Sequence, residues 1–293
     1  MTLVEDERAL KELRNHPQRR SQEVCIIAKR LLRLPDSDDL WPMLEQVALS
    51  ALDIGQLGLA SSCIARLEKK FPDSPRVAPL HGMLLEAKGE VMPALEYYEA
   101  QLAKTETNTA VRKRLIALHL SQARPPRLSE QRGVELLIEH LDTVYNDIEG
   151  WSQLAEIYIS RNMLKEALSC LADLLLLVPQ SPLYALQYAE TAYTMGQFEL
   201  AYRYFCIALE LAGPAQKGGA GRRAAIGLKL CAGRLGSNSE SATAPKELKR
   251  IDGLASQALI DAYSKDWEKV GDRAAGHMES KAHRQTCNQQ IQH

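Results

Sequence analysis

The stretch "WSQLAEIYISRNMLKEALSCLADLLLLVP", Trp151 to Pro179, carries apolar residues at intervals of three and four. Trp151, Leu154, Ala155 and Tyr158 fall on one face of a first helix, and Leu164, Ala167, Leu168 and Leu171 on one face of a second. "SRNML" between them supplies a turn, and Pro179 cannot extend the second helix. The small residues Ala155 and Ala167 let the two backbones approach. At roughly 21 Å for each fourteen-residue helix, such a pair is too short to bury its outer faces alone. It needs neighbours of the same kind.

Those neighbours recur at a step of 34 residues. One step forward lie Ala189 and Ala201, with Tyr188 and Phe205 in the large positions. Towards the N-terminus, Gly82, Ala94 and Tyr98 form one unit, and Val47, Ala48, Ala60, Ile64, Leu67 and the closing Pro72 form another. The unit between these and Trp151 is five residues longer, with the excess at Pro125 and Pro126 and with Leu115 and Leu137 in its large positions. Such an extension costs little in loop-closure entropy. Ile116 and Gly133 replace its two small residues, so this middle pair is expected to splay.

The pattern Trp, Leu, Gly or Ala, Tyr, then Ala, Phe, Ala and Pro resembles the tetratricopeptide repeat, best over Trp151 to Pro179. The expected fold is all-α: a superhelical solenoid of antiparallel helix pairs with helical caps. Five repeats are expected over 41–215, starting near 41, 75, 109, 148 and 182. Residues 1–40 form a helical cap or partial repeat, with Val24, Ile27, Ala28 and Leu31 on one face of the segment 18–35. A second cap over 216–284 contains a flexible loop near 236–245, "GSNSESATAP", before a polar tail, 285–293. One elongated domain accommodates all of it.

Composition narrows the function more than the fold. The 293 residues carry a formal net charge of −1, far from the basic excess that nucleic-acid binding demands. The start shows no secretory signal pattern, and the longest uncharged run, Leu174 to Ala189, is too short and Pro-broken to span a bilayer. Cys25, Cys63, Cys170, Cys206, Cys231 and Cys287 form no CxxC pair and read as reduced, mostly buried thiols. His277, His283 and Cys287 are the one metal-like grouping, in a polar tail that argues against it, so no metal and no cofactor is expected. Gly219, Gly221 and Ala224 mimic a dinucleotide-binding frame, but no strand precedes them, and they read as a helix entrance. No phosphate-binding loop, HExxH or GxSxG occurs, and no enzyme is expected.

Binding is then the expected function, along an inner wall built by the first helix of each pair. The register assigns to that wall Glu45, Leu49, Leu52, Met83, Glu86, Lys113, Ala117, Leu120, Ser152, Glu156, Ile159, Leu186, Glu190 and Tyr193. An apolar wall with acidic points suits a peptide with apolar anchors and some basic residues. A clamp for acidic chaperone tails would need Asn where Leu49, Met83, Ala117, Glu156 and Glu190 stand, and a Glu there repels a carboxylate. The stretch from Leu211 to Ser239 holds Lys217, Arg222, Arg223, Lys229 and Arg234 and no acid, a basic patch suited to anionic lipid or to an acidic loop.

"LEKKFPDSPRV" at 67–77, "NTAVRKRLIA" at 108–117 and "YALQYAE" at 184–190 are not required by repeat patterning. With them, the chain from about residue 20 to 265 is similar to the ER membrane protein complex subunit 2 family. The resemblance implies a soluble scaffold subunit on the cytoplasmic face of the endoplasmic reticulum membrane. It would hold cytosolic segments of membrane-spanning partner subunits together with another soluble subunit, in a complex that inserts tail-anchored and multipass membrane proteins. The chain departs most from the family over 211–293. A free-standing peptide-binding adaptor or co-chaperone is the alternative. An RNA-binding repeat is disfavoured by the glutamates on the wall.

Overall fold

The computed structural model describes residues 3–15, 20–31, 38, 40–121, 129–213, 219–236, 246–261 and 263. Where the sequence suggests one elongated domain, the chain groups into two compact units, Met1–Thr143 and Val144–His293, each described by itself. Unit 1 contains α1 (Leu3–Asn15), α2 (Ser21–Leu31), α3 (Leu40–Asp53), α4 (Leu57–Lys70), α5 (Ala78–Ala87), α6 (Val91–Lys104), α7 (Thr109–Leu120) and α8 (Glu130–Thr143). Unit 2 contains α9 (Ile148–Ser160), α10 (Leu164–Leu177), α11 (Pro182–Thr194), α12 (Phe198–Ala212), α13 (Gly219–Gly236) and α14 (246–261). Among the described residues there is no strand. The metal-like grouping His277, His283 and Cys287, the loop 237–245 and the tail lie outside the described residues.

The turn inside a helix pair repeats with the pairs. Gly55, Gly89, Asn162 and Gly196 have φ of 73°, 81°, 60° and 80°, the left-handed region that closes a helix. After each, the next amide reaches five residues back: Gln56 N–H to Ala51 O at 2.8 Å, Glu90 to Leu85 at 3.0 Å, Met163 to Tyr158 at 2.9 Å and Gln197 to Ala192 at 3.0 Å. Last-turn carbonyls are thus satisfied, and the chain reverses into the second helix. Asn162 is the one position of the four where a side chain bears that φ. Asn162→Gly is therefore expected to stabilise the chain by about 0.5–1 kcal/mol. A rise in the urea midpoint at constant slope would bear this out; a fall would mean that the Asn side chain contributes more than its backbone strain costs.

Packing within pairs depends on small residues facing large ones. Tyr98 of α6 is fully buried, and a Cβ on Gly82 of α5 would sit 2.0 Å from its ring. The middle pair does not splay. Ile116 is buried, and bare Gly133 lets α8 close on Leu120 and His119, which a Cβ there would meet at 2.8 and 3.0 Å. Outside the repeats, Gly227 of α13 faces Phe205 of α12, with 2.3 Å left for a Cβ. Unit 1 has one buried cluster around Leu44, Val47, Ile64 and Leu67 and another around Tyr98, Val111 and Leu115. In unit 2 a cluster joins Leu186, Ala189, Phe205, Leu228 and Leu235.

The segment 1–40 contains α1, which buries Leu10 completely, and α2, which lies within the stretch 18–35. One expectation shifts. Trp151 and Tyr158, placed in the core by spacing, are half-buried; the Trp151 indole N–H donates to Tyr145 O at 2.8 Å instead. Of the thiols, Cys25, Cys63, Cys170 and Cys231 are buried and unbridged, whereas Cys206 is half-buried. Burial, with the neighbouring Cys25 adding to it and Arg66 opposing it, pushes the Cys63 thiol up to about 12. Burial pushes Cys170 to about 11 and Cys231 to about 12. The thiolate is the reactive form. At pH 8 these three thiols should stay unlabelled by a disulfide reagent until denaturant is added, and labelling of any of the three in the folded chain, located by peptide mapping, would refute their burial.

Candidate partner-binding wall

The first helices α3, α5, α7, α9 and α11 carry the residues assigned to the inner wall, and the structure sorts them by role. Leu49 and Leu52 pack half-buried on the first core cluster of unit 1. Met83, Lys113, Leu120, Ser152 and Tyr193 are half-buried, Ala117 is exposed, and Ile159 is 38 % exposed. Tyr193 packs edge-to-face on Phe198 at 5.3 Å. Leu186 has no exposed surface: it is core, because its helix position points into the α11–α12 contact and not outwards.

The wall carboxylates behave differently from the acidic points that the spacing suggests. Arg76 bonds Glu45 at 2.7 and 2.9 Å. Glu86 accepts the Tyr98 hydroxyl at 2.5 Å and both Nε (3.2 Å) and a terminal nitrogen of Arg114. Arg223 of α13 grips Glu190 of α11 in a fork at 2.6 and 3.1 Å. Each pair spans 28 to 33 residues, roughly one repeat, so a glutamate on one first helix meets an arginine at or before the next. Burial works against the Arg114 charge, yet Glu86 beside it holds its pKa above the ordinary value. Burial and the bond to Glu86 keep the Tyr98 phenol protonated far above its usual range. Forked arginine–carboxylate pairs fix geometry as well as charge. On a half-exposed face their contribution to stability is small, and their effect is to hold adjacent repeats in register and cancel charge.

Glu156 is the exception. It is exposed, no ion pair involves it among the described residues, and the matching span of α11, from Tyr184 to Ala189, contains no base. It stands beside Ile159 on the same face of α9. One wall glutamate is therefore left with its charge uncancelled.

The basic patch is not a free cationic surface. Lys217 lies outside the described residues, Arg223 is engaged by Glu190, and Lys229 bonds Asp252 at 3.2 Å and Ser256 at 2.6 Å. The Arg222 guanidinium lies over the Tyr263 ring at 5.9 Å, and Arg234 is exposed near the end of α13. The motif Gly219, Gly221 and Ala224 forms the first turns of α13. Spacing arguments missed the arginines that staple the wall, although Glu and Arg recurring about one repeat apart is a signal the sequence carries. Among the described residues no group of His, Cys, Asp and Glu has a metal-holding arrangement. No described helix is long and apolar enough to cross a membrane.

Helix pairs closed by left-handed turns and offering a half-exposed first-helix wall define a tetratricopeptide-like repeat protein. A solved structure of the C-terminal part of a TPR repeat-containing protein from Cytophaga hutchinsonii shares this fold. It is 13 % identical, with a TM-score of 0.58, covering 89 % of this chain and 95 % of that one. The profile of the EMC2 TPR-like repeat domain matches residues 73–203. ER membrane protein complex subunit 2-A of Xenopus laevis is 34 % identical over 261 residues, 87 % of this chain and 84 % of its own. TPR repeat protein oca3 of Schizosaccharomyces pombe is 29 % identical over 238 residues, 80 % of this chain and 78 % of its own. The chain belongs to the ER membrane protein complex subunit 2 family.

Proposed function

We propose that the chain is a non-catalytic scaffold subunit of an ER membrane protein complex. It holds cytosolic segments of the membrane-spanning subunits, together with a soluble partner, on the cytoplasmic face of the endoplasmic reticulum, and so supports insertion of tail-anchored and multipass proteins. The likeness to the frog subunit over 87 % of the chain carries this reading. A wall of half-buried apolar side chains with one uncancelled carboxylate, Glu156, agrees with it and fits a segment bearing a basic residue. Arg223 and Lys229 are engaged inside the chain, which leaves little support for contact between the basic stretch and anionic lipid.

Purification of the tagged full-length chain from detergent-solubilised membranes tests the reading. Stoichiometric recovery of several ER membrane proteins is expected. Recovery of heat-shock chaperones alone would favour the adaptor alternative, and recovery of nothing would remove the scaffold reading. Glu156→Lys should leave the melting temperature within about 2 °C, since the side chain is exposed. It should lower partner recovery several-fold. Unchanged recovery would take Glu156 off the binding surface.

A further inference from the structure

Two adjoining cavities lie at the N-terminal end of unit 1. The first, about 300 Å³, opens between α1, α2 and α3, and Arg14, Arg20 and Arg76 line it with Glu45 and Asp53. The second, about 250 Å³, is apolar, with Trp41 and Phe71 set edge-to-face at 5.5 Å above Leu67 and Leu80. Pro42, Glu45 and Arg76 border both cavities, so one short occupant can reach the two.

Charge selects that occupant. The Glu45 carboxylate is taken up by Arg76, Arg20 lies 3.5 Å from Glu23, and Asp53 accepts the Ser21 hydroxyl at 2.8 Å. Arg14 differs, because its Nε–H donates to the Gln46 amide oxygen at 3.3 Å, while the Gln46 amide N–H donates to Leu10 O at 3.2 Å. A neutral amide, itself anchored, thus aims the guanidinium without cancelling its charge. No carboxylate pairs with Arg14 among the described residues. The terminal nitrogens of a guanidinium held in this way match a carboxylate in a two-pronged bond. Beside it, the Trp41–Phe71 cavity is walled mainly by Trp41, Leu67, Phe71, Val77 and Leu80, with Glu45 and Arg76 paired to each other at its border, and accepts a large apolar side chain.

We propose that this end of unit 1 holds a partner peptide in which an acidic residue and a bulky apolar residue lie within about one helical turn of each other. The proposal rests on the scaffold reading for the existence of such partners. It assigns the N-terminal end a preference opposite to that of Glu156: acidic at α1–α3, basic at α9.

The test is a peptide titration of the full chain with its tryptophan indoles labelled with nitrogen-15 and the Trp41 signal assigned from Trp41→Phe. The probes are acetylated, amidated octapeptides of Gly and Ser carrying one Leu and one Glu at separations of one to four, with isomers carrying Lys in place of Glu. At least one Glu–Leu peptide should shift the Trp41 signal and bind about tenfold more tightly than its Lys isomer. Arg14→Lys should keep that preference, and Arg14→Glu, at an exposed position, should reverse it in a chain with unchanged circular dichroism. The absence of a Trp41 shift with every Glu–Leu peptide, or a preference that survives Arg14→Glu, would overturn the proposal. Partner recovery from membranes bears on the scaffold reading alone and the titration on the cleft alone, so the two can fail separately.

Discussion

Gly82→Ala is expected to destabilise unit 1 by about 3 kcal/mol, the upper end of what overpacking a core usually costs. The added Cβ would lie 2.0 Å from Cε1, 2.3 Å from Cζ and 2.5 Å from the hydroxyl oxygen of Tyr98. The ring has nowhere to go: Tyr98 has no exposed surface, its hydroxyl is bound to Glu86 at 2.5 Å, and Arg114 holds Glu86 in turn. Relief therefore requires either breaking that network, which strands the buried Tyr98 hydroxyl, or moving α5 away from α6. Tyr98→Leu makes the room that Gly82→Ala needs. The double variant should be more stable than the sum of the single effects predicts, with a coupling of about 1–2 kcal/mol read from urea unfolding. Strict additivity would mean that the two positions do not share the contact.

How much of this was legible beforehand depends on the physics behind each feature. Helix pairing and its 34-residue period could be read because amphipathic spacing and small-against-large packing are local in sequence, and Gly82 facing Tyr98 is one instance. The left-handed turns were equally readable in "DIGQL", "AKGEV", "SRNML" and "TMGQF", where Gly or Asn recurs at the same step. Burial of a given aromatic residue was less so. Tyr158 carries the same spacing as a core residue yet stays half-buried, since exposure depends on which neighbouring helix covers it. Leu186 went the other way, assigned to the wall and found in the core.

The wall's electrostatics were the least legible part. A glutamate on a first helix reads as an acidic point until the arginine one repeat away is found to reach it, as Arg76, Arg114 and Arg223 do. The same contact removes Glu190 from the acidic wall and Arg223 from the basic patch. Specificity then falls to the charges left over after this internal pairing. Among these are Arg14 in unit 1, bonded to an amide, and Glu156 in unit 2. Partner choice read from such residues differs from partner choice read from net composition, which at −1 is almost neutral.

Phe205→Ala is expected to remove about 3–5 kcal/mol from unit 2, the range for deleting a buried aromatic ring. Phe205 is 2 % exposed, and its ring lies over Gly227, where a Cβ would come within 2.3 Å of Cε1 and 2.4 Å of Cζ. It belongs to the cluster that ties α11 to α12 and α13 through Leu186, Ala189 and Leu228. The cavity left by the ring cannot be filled by Gly227, which has no side chain to rotate into it. In a repeat array each element draws its stability mainly from its neighbours. The loss should therefore appear first as faster amide hydrogen exchange in α11, α12 and α13, while amides of α3 and α4 in unit 1 keep their protection. Gly227→Ala should loosen the same three helices from the opposite direction, by crowding the ring. Equal loss of protection in α3 and α4 on Phe205→Ala would mean that the two compact units unfold as one. A local response would instead mean that the α11–α13 end can loosen while the N-terminal cleft stays formed.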